Sequence, residues 1–120
     1  MIVADLTIRN NSLIRDALKQ LEATERKTLF VVDQDQKLIG TLTDGDIRRW
    51  ILAEGNLNGQ VGSVCNTSPF VVTSDYDIES TKKVMLENKI ACIPVVNASR
   101  EIIDVLLWET LFDESLVHKQ

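Results

Sequence analysis

The feature that most restricts the fold of this chain is an internal repeat with a constant spacing. Like residues recur 64 positions apart without a gap: Ile14 and Ile78, Lys19 and Lys83, Val31 and Val95, Val32 and Val96, Ile39 and Ile103, and Leu42 and Leu106. Chance is a poor explanation, because helix-like and strand-like segments both recur in register. The sequence therefore predicts an α/β (α+β) fold of two βαββα units, whose small sheets must pack face to face to be stable.

A polar connection over residues 56–60, with a glycine at Gly59, separates the two copies. Such a stretch is typical of a boundary between folding units. We expect the first repeat at 1–60, the second at 61–113, and a C-terminal tail or linker at 114–120.

In the first copy, apolar residues at the spacing i, i+3, i+4, i+7 predict a helix: Ile14, Ala17, Leu18 and Leu21. Asn11 or Ser12 is the expected N-cap of this helix. The runs 28–32 and 37–42 predict a hairpin, followed by a helix over 47–53 that closes near Gly55.

The second copy repeats this order. An extended run is expected at 70–73, then a helix capped by Asp75 or Asp77 that carries Ile78, Thr81 and Met85 inward. The runs 93–96 and 101–107 predict the second hairpin.

Composition excludes several classes of function. The chain has 120 residues, 44% of them hydrophobic and 26% charged, as in an ordinary soluble globule. A net charge of −5 argues against binding to nucleic acid or to an acidic membrane surface. There is no apolar run of about 20 residues and no signal peptide. Cys65 and Cys92 are expected to be free thiols of a cytoplasmic protein rather than a disulfide.

The turn from Gly40 to Asp46 carries the most chemistry. It joins a strand-like run to a helix-like run, and helix N-termini present free N–H groups that favour anions. Thr43 can donate to a phosphate or sugar oxygen, and Asp46 can accept from ribose hydroxyls. Thr43 and Asp44 can equally serve only to cap the helix, and the turn alone leaves both interpretations open.

Catalysis has little support in the sequence. There is no Ser/His/Asp or Cys/His set, no metal-ligand spacing and no Walker-type phosphate loop. Asp44 and Asp46 have no nucleophile or metal companion beside them. We therefore expect this segment not to be an enzyme, and an enzyme acting on a nucleotide is the weakest of three hypotheses.

Residues 3–112 resemble a pair of cystathionine-β-synthase (CBS) domains, a regulatory module that binds adenosine-type ligands. The resemblance rests on Gly40-x-x-Thr43-x-x-Asp46, on the two Val-Val strands, on Asn88-Lys89-Ile90 before Ile93-Pro94-Val95-Val96, and on the repeat. The run from Thr43 to Arg49 further resembles pairs that precede a sugar nucleotidyltransferase domain or follow a sugar-phosphate isomerase domain. Because Met1 opens the module almost at once, we expect the N-terminal regulatory part of a nucleotidyltransferase.

The resemblance implies a site between the repeats, related by pseudo-twofold symmetry. It places Thr43 on phosphate or ribose and Asp46 on the ribose hydroxyls, with Asp44 and Arg48 beside them and Arg49 as a further cation. The base pocket implied is Phe70, Val71, Ile90, Ala91 and Cys92. The implied ligands are AMP, ADP, ATP or S-adenosylmethionine, with cytidine and guanosine nucleotides left open, and no cofactor is required.

The equivalent site in the second copy lacks the motif. Asp104, Leu107 and Thr110 stand where the first copy has glycine, hydroxyl and carboxylate, and Trp108 replaces Asp44. We therefore expect at most one nucleotide per chain.

Two functions compete. A nucleotide sensor uses the turn as a binding site, whereas a ligand-free dimerisation module uses it only as a cap and pairs through apolar residues: Trp50, Trp108, Leu111 and Phe112. Family habit implies a homodimer and an attached catalytic domain.

Overall fold

The computed structural model describes residues 3–24 and 26–112, so the tail expected at 114–120 lies outside the described residues. Its strands and helices follow in this order: β1 (Thr7–Arg9), α1 (Ile14–Thr24), β2 (Thr28–Val32), β3 (Leu38–Thr43), α2 (Asp44–Glu54), α3 (Ile78–Asn88), β4 (Cys92–Val96), β5 (Ile102–Leu107) and α4 (Trp108–Leu111). Short 3-10 turns lie at Val3–Leu6 and Val61–Ser63.

The repeat is preserved in the backbone at the same spacing of 64 residues. The helices α1 and α3 and the hairpins β2–β3 and β4–β5 begin and end at equivalent positions. Each hairpin also has an irregularity at the same place, between Val31 and Val32 and between Val95 and Val96. The predicted α+β fold of two repeated units is therefore confirmed.

The two sheets differ in their third strand. In the first copy, β1 lies parallel to β2 and antiparallel β3 completes a sheet in the order β1-β2-β3. In the second, the predicted extended run at 70–73 is reduced to one parallel bridge between Val72 and Val95, beside the two-stranded sheet β4-β5.

The two hairpins meet turn to turn. Lys37 and Glu101, which are equivalent residues, form an antiparallel bridge, so an approximate twofold axis passes between them. Leu38 N–H donates to the carbonyl of Arg100 at 2.9 Å, and Arg100 Nε donates back to the carbonyl of Leu38 at 3.2 Å. These bonds join the repeats across their polar turns.

A buried apolar cluster joins the repeats beneath these turns. Its members come from both copies: Leu6, Phe30, Leu38, Cys92 and Val96. Burying such side chains stabilises the pair far more than exposed polar contacts do. The two copies therefore share one core and pack face to face.

The N-terminus of α1 differs from the prediction. Its first N–H groups are satisfied by the connection between repeats, because Ile14 donates to the carbonyl of Gly59 at 2.9 Å and Arg15 to that of Leu57 at 3.1 Å. The connection, rather than Asn11 or Ser12, caps this helix.

The prediction of an inward Ile78 is also wrong, since that side chain is 48% exposed. Its counterpart Ile14 shares a buried cluster with Val61 of the connection, and no described residue covers Ile78 in the same way. Thr81 and Met85 of the same helix are buried as predicted, and Asp77 is the N-cap, accepting from Ser80 N–H at 2.9 Å.

The glycine of the motif has a steric role that can be tested. A Cβ atom on Gly40 would lie 2.2 Å from the carbonyl oxygen of Asn66, whose backbone bridges Thr41 in β3. We expect Gly40→Ala to lower the free energy of unfolding by about 2–3 kcal/mol, because backbone must move to accommodate the methyl group. Urea denaturation measures this loss.

Gly45→Ala is the matched control, since the nearest atoms to the added Cβ belong to the flexible side chain of Arg49, at 3.4 Å, and the Thr43 hydroxyl lies at an ordinary contact distance of 3.8 Å. It lies in the first turn of α2, where alanine is the better helix former by up to about 1 kcal/mol. Equal destabilisation by the two substitutions would contradict the close approach of Asn66.

Candidate functional site

The motif turn forms a reciprocal cap at the start of α2. Thr43 Oγ1 accepts from Asp46 N–H at 3.1 Å, and Asp46 Oδ2 accepts from Thr43 N–H at 2.9 Å. This capping box explains why α2 begins at Asp44, three residues before the predicted start at Ile47. The capping interpretation is therefore right for Thr43, while Asp44 is the first residue of the helix.

Both carboxylates of the turn are paired with arginines one turn along α2. Arg48 Nη2 lies 2.6 Å from Asp44 Oδ2, and Arg49 Nη2 lies 2.7 Å from Asp46 Oδ1. These exposed i, i+4 and i, i+3 pairs contribute little to stability. They do keep each negative charge of the turn beside a positive one.

A cleft of about 660 Å³ opens beside this turn and is lined by both repeats. The first repeat contributes Lys27, Thr28, Thr41, Thr43, Asp44, Gly45 and Arg48. The second half contributes Asn66, Pro69, Phe70, Asn88, Lys89, Ile90, Ala91 and Cys92. The fold thus brings together the predicted hydroxyl, charged residues and apolar pocket, which are far apart in the sequence.

Asp46 and Val71, both predicted to contact the ligand, do not line this cleft, and neither does Arg49. The oxygens of Asp46 are engaged by Thr43 N–H and Arg49, and Val71 packs partly buried against the shared cluster. Contact of these two residues with a ligand stays a prediction.

The apolar wall of the cleft is open to solvent. Phe70 is 48% exposed and Ala91 is also exposed, while Ile90 is half-buried between them and the core. Cys92 lies deepest, and burial raises the pKa of its thiol. A neutral thiol at this place is a packing surface rather than a nucleophile.

Sequence reasoning missed several lining residues. Asn66 reaches the cleft because its backbone bonds that of Thr41 in both directions, at 3.0 and 2.8 Å. No sequence pattern around Lys27 predicts that it lines the cleft. Lys89 is part of the run Asn88-Lys89-Ile90, on which the family resemblance rests. Only the structure shows that it ends α3 in the left-handed conformation, with φ of 55°.

The symmetry-equivalent positions in the other half of the pair carry different side chains. Leu6, the counterpart of Phe70, is only 1% exposed. Arg26 and Glu109, the counterparts of Ile90 and Gly45, form an ion pair across the repeats. Trp108 stacks on Phe112 with ring centroids 4.1 Å apart. A buried leucine and an ion pair therefore stand where the open cleft has Phe70, Ile90 and Gly45.

A second cavity, of about 380 Å³, lies between the 70–77 segment and α3. It is lined by residues of the second repeat only, and none of them carries a positive charge. The larger cleft is the better candidate because it alone combines both repeats, the motif and cationic side chains.

The described part of the chain offers neither a metal site nor a membrane-spanning helix. Residues 3–24 and 26–112 hold no group of three or more His, Cys, Asp or Glu side chains placed to bind a metal ion. Within the same ranges, the helices are too short and too polar to cross a bilayer.

The sequence profile of the CBS domain family matches this chain twice, at residues 2–53 and 61–116. The chain therefore belongs to the CBS domain family and is a tandem CBS pair.

Solved structures share this fold. The CBS-pair protein CBSX2 from Arabidopsis thaliana superposes with a TM-score of 0.81 at 24% identity, covering 97% of this chain and 89% of that one. CBSX2 has also been solved in complex with AMP. The CBS pair of protein MJ0100, in complex with 5′-methylthioadenosine and S-adenosyl-L-methionine, gives a TM-score of 0.75 at 21% identity, covering 100% of this chain and 98% of that one.

Curated relatives are much longer proteins. Arabinose 5-phosphate isomerase GutQ of Shigella flexneri is 25% identical over 104 residues, which is 87% of this chain and 32% of the isomerase. The CBS domain-containing protein CBSCBSPB2 of Arabidopsis thaliana is 31% identical over 111 residues, which is 90% of this chain and 20% of that protein. The chain spans a third or less of these relatives.

The difference in burial between the equivalent residues Leu6 and Phe70 can be tested by truncating each of them. We expect Leu6→Ala to cost about 2–4 kcal/mol of unfolding free energy, because it leaves a cavity in the shared cluster. Phe70→Ala should cost less than about 1 kcal/mol, because half of that ring is already in water. Chemical denaturation of both variants measures the difference, and similar losses would contradict the asymmetry.

Proposed function

We propose that this CBS pair is a regulatory module that binds an adenosine-type nucleotide in the cleft between its repeats. The observation that carries the proposal is the open cleft, where the exposed Phe70 ring faces the same space as the Thr43 hydroxyl. On the other side, the equivalent residue Leu6 is buried in the shared cluster. The adenosine compounds bound by CBSX2 and MJ0100 favour the same ligand class.

The lining chemistry suggests the orientation of the ligand. The base packs on the apolar wall of Phe70, Ile90 and Ala91, with Val71 and Cys92 behind it. The ribose and phosphates then face the turn, where Thr43 has a hydroxyl proton left to donate after accepting from Asp46 N–H.

Asp46 is proposed to receive the ribose hydroxyls. Its carboxylate already accepts from Thr43 N–H and pairs with Arg49, but two carboxylate oxygens offer about four acceptor sites. Asp44 and Arg48 complete the polar side, where the guanidinium can share its donors between Asp44 and a phosphate.

Regulation follows from where the ligand sits. A nucleotide that contacts both repeats favours whichever arrangement of the pair it binds more tightly, and it shifts the equilibrium only by that difference in affinity. The shared cluster and the Arg26–Glu109 pair hold the repeats together on one side. A change in their arrangement is therefore expected at the open cleft on the other side. The role proposed is therefore sensing rather than catalysis.

The enzyme under control is proposed from the relatives. GutQ, an arabinose 5-phosphate isomerase, favours an attached domain that acts on a phosphorylated sugar. The nucleotidyltransferase expected from the sequence has no counterpart among the relatives described above. Isomerase assays on the natural protein, with and without nucleotide, would test this assignment.

Thermal shift of the 120-residue chain tests the proposed ligand class. A nucleotide present at 100 times its Kd should add roughly 2.7 kcal/mol and raise the melting temperature visibly. Calorimetry should then give one site per chain, because Leu107, Trp108 and Thr110 stand at the positions equivalent to Thr43, Asp44 and Asp46. Guanine and cytidine nucleotides are the controls, and two sites per chain would contradict the proposed asymmetry.

Asp46→Ala tests the proposed binding residue. We expect it to abolish ribose-dependent binding and to lower stability by about 1 kcal/mol through loss of the capping box. Asp77→Ala is the matched control, since it removes the carboxylate cap of α3 outside the cleft. It should leave nucleotide affinity unchanged. Unchanged affinity in Asp46→Ala would remove Asp46 from the site.

A second candidate function is ligand-free dimerisation. The observation in its favour is a set of exposed apolar residues on helices, with Leu52 of α2 81% exposed and Leu86 of α3 58% exposed. Apolar surface that is exposed in one chain can be buried in a dimer. A homodimer by light scattering, together with no thermal shift from any nucleotide, would favour this candidate.

A further inference from the structure

The charge of the candidate cleft is opposite to that of the protein. The chain has a net charge of −5, but the cleft is lined by Lys27, Arg48 and Lys89 and by one acidic residue, Asp44. Asp44 is paired with Arg48 at 2.6 Å. Among the described residues, no carboxylate forms an ion pair with Lys27 or Lys89. Within residues 3–24 and 26–112, two lysines at the cleft therefore have no acidic ion-pair partner.

The backbone of Lys89 has a conformation that favours glycine. Lys89 ends α3 in the left-handed conformation, with φ of 55° and ψ of 46°. At the end of α2 the same conformation is taken by Gly55, which has no steric penalty there. The backbone of a lysine is strained in this conformation, which suits glycine best. Strained residues of this kind cluster at functional sites.

Lys27 is held at its backbone beside the motif turn. Its carbonyl accepts from the N–H of Asp44 at 3.1 Å, which holds the residue beside the N-terminus of α2. Lys27 belongs to the first repeat and Lys89 to the second, so a polyanion between them would be attracted to both halves of the pair.

We propose that this site selects nucleotides with two or more phosphates over AMP and over S-adenosylmethionine, with Lys27 and Lys89 as the specificity-determining residues. This inference rests on the proposed nucleotide-binding function. Thr43 and Arg48 suffice for one phosphate, and the β- and γ-phosphates add the charge that two further cations attract. The sulfonium of S-adenosylmethionine places a positive charge in the same cleft and is disfavoured.

Calorimetric titration of the chain with adenosine, AMP, ADP, ATP and S-adenosylmethionine tests the selection. ATP should bind about 10-fold or more tightly than AMP, and the advantage should shrink as salt is raised. Lys27→Gln and Lys89→Gly should each weaken ATP binding by about 5–30-fold and AMP binding by less than about 3-fold.

The two substitutions allow loss of charge to be separated from loss of structure. Glycine suits the left-handed backbone of residue 89, so Lys89→Gly should melt at the same temperature as the parent chain or higher. Lys83→Gln, on an exposed position of α3 that does not line the cleft, removes the same charge elsewhere and should leave ATP affinity unchanged.

The outcomes separate this inference from the function on which it rests. Equal affinity for AMP and ATP, tighter binding of S-adenosylmethionine, or an equal loss in Lys83→Gln would each overturn the selection while leaving adenosine binding intact. No binding of any adenosine compound to the folded chain would overturn both.

Discussion

The structure depends on the burial of apolar side chains between two incomplete sheets. A three-stranded and a two-stranded sheet each leave one face uncovered, and neither is large enough to be stable alone. The cluster of Leu6, Phe30, Leu38, Cys92 and Val96 covers both faces at once. Cys92 belongs to this cluster and also lines the cleft, so a change in the packing of the repeats is felt where the ligand is proposed to bind.

A nearly symmetric backbone with unlike side chains gives the pair its asymmetry. Equivalent positions hold Phe70 in an open cleft and Leu6 in the buried cluster between the repeats. The ion pair of Arg26 with Glu109 joins the repeats on the side of Leu6. These unlike side chains accompany the backbone difference in the third strand, and we propose that the two together decide which cleft accepts a ligand.

Sequence reasoning succeeded where the signal was local. The apolar period of α1, the β-branched strands and the cap Asp77 each depend on residues within one or two turns. It failed where distant segments intervene. The connection at 57–60 replaces the expected cap of α1, and Ile78 is exposed although its position in the helical period is that of an inward residue.

The sequence by itself determined the repeat, the two βαββα units, the motif turn and the loss of that motif from the second copy, because each is written in the spacing of nearby or regularly repeated residues. Only the tertiary structure decided which residues share the cleft. Lys27 and Lys89 are 62 positions apart and lie in different repeats, so no local pattern relates them. They become neighbours of one site only because burial of the shared cluster fixes how the two repeats face each other.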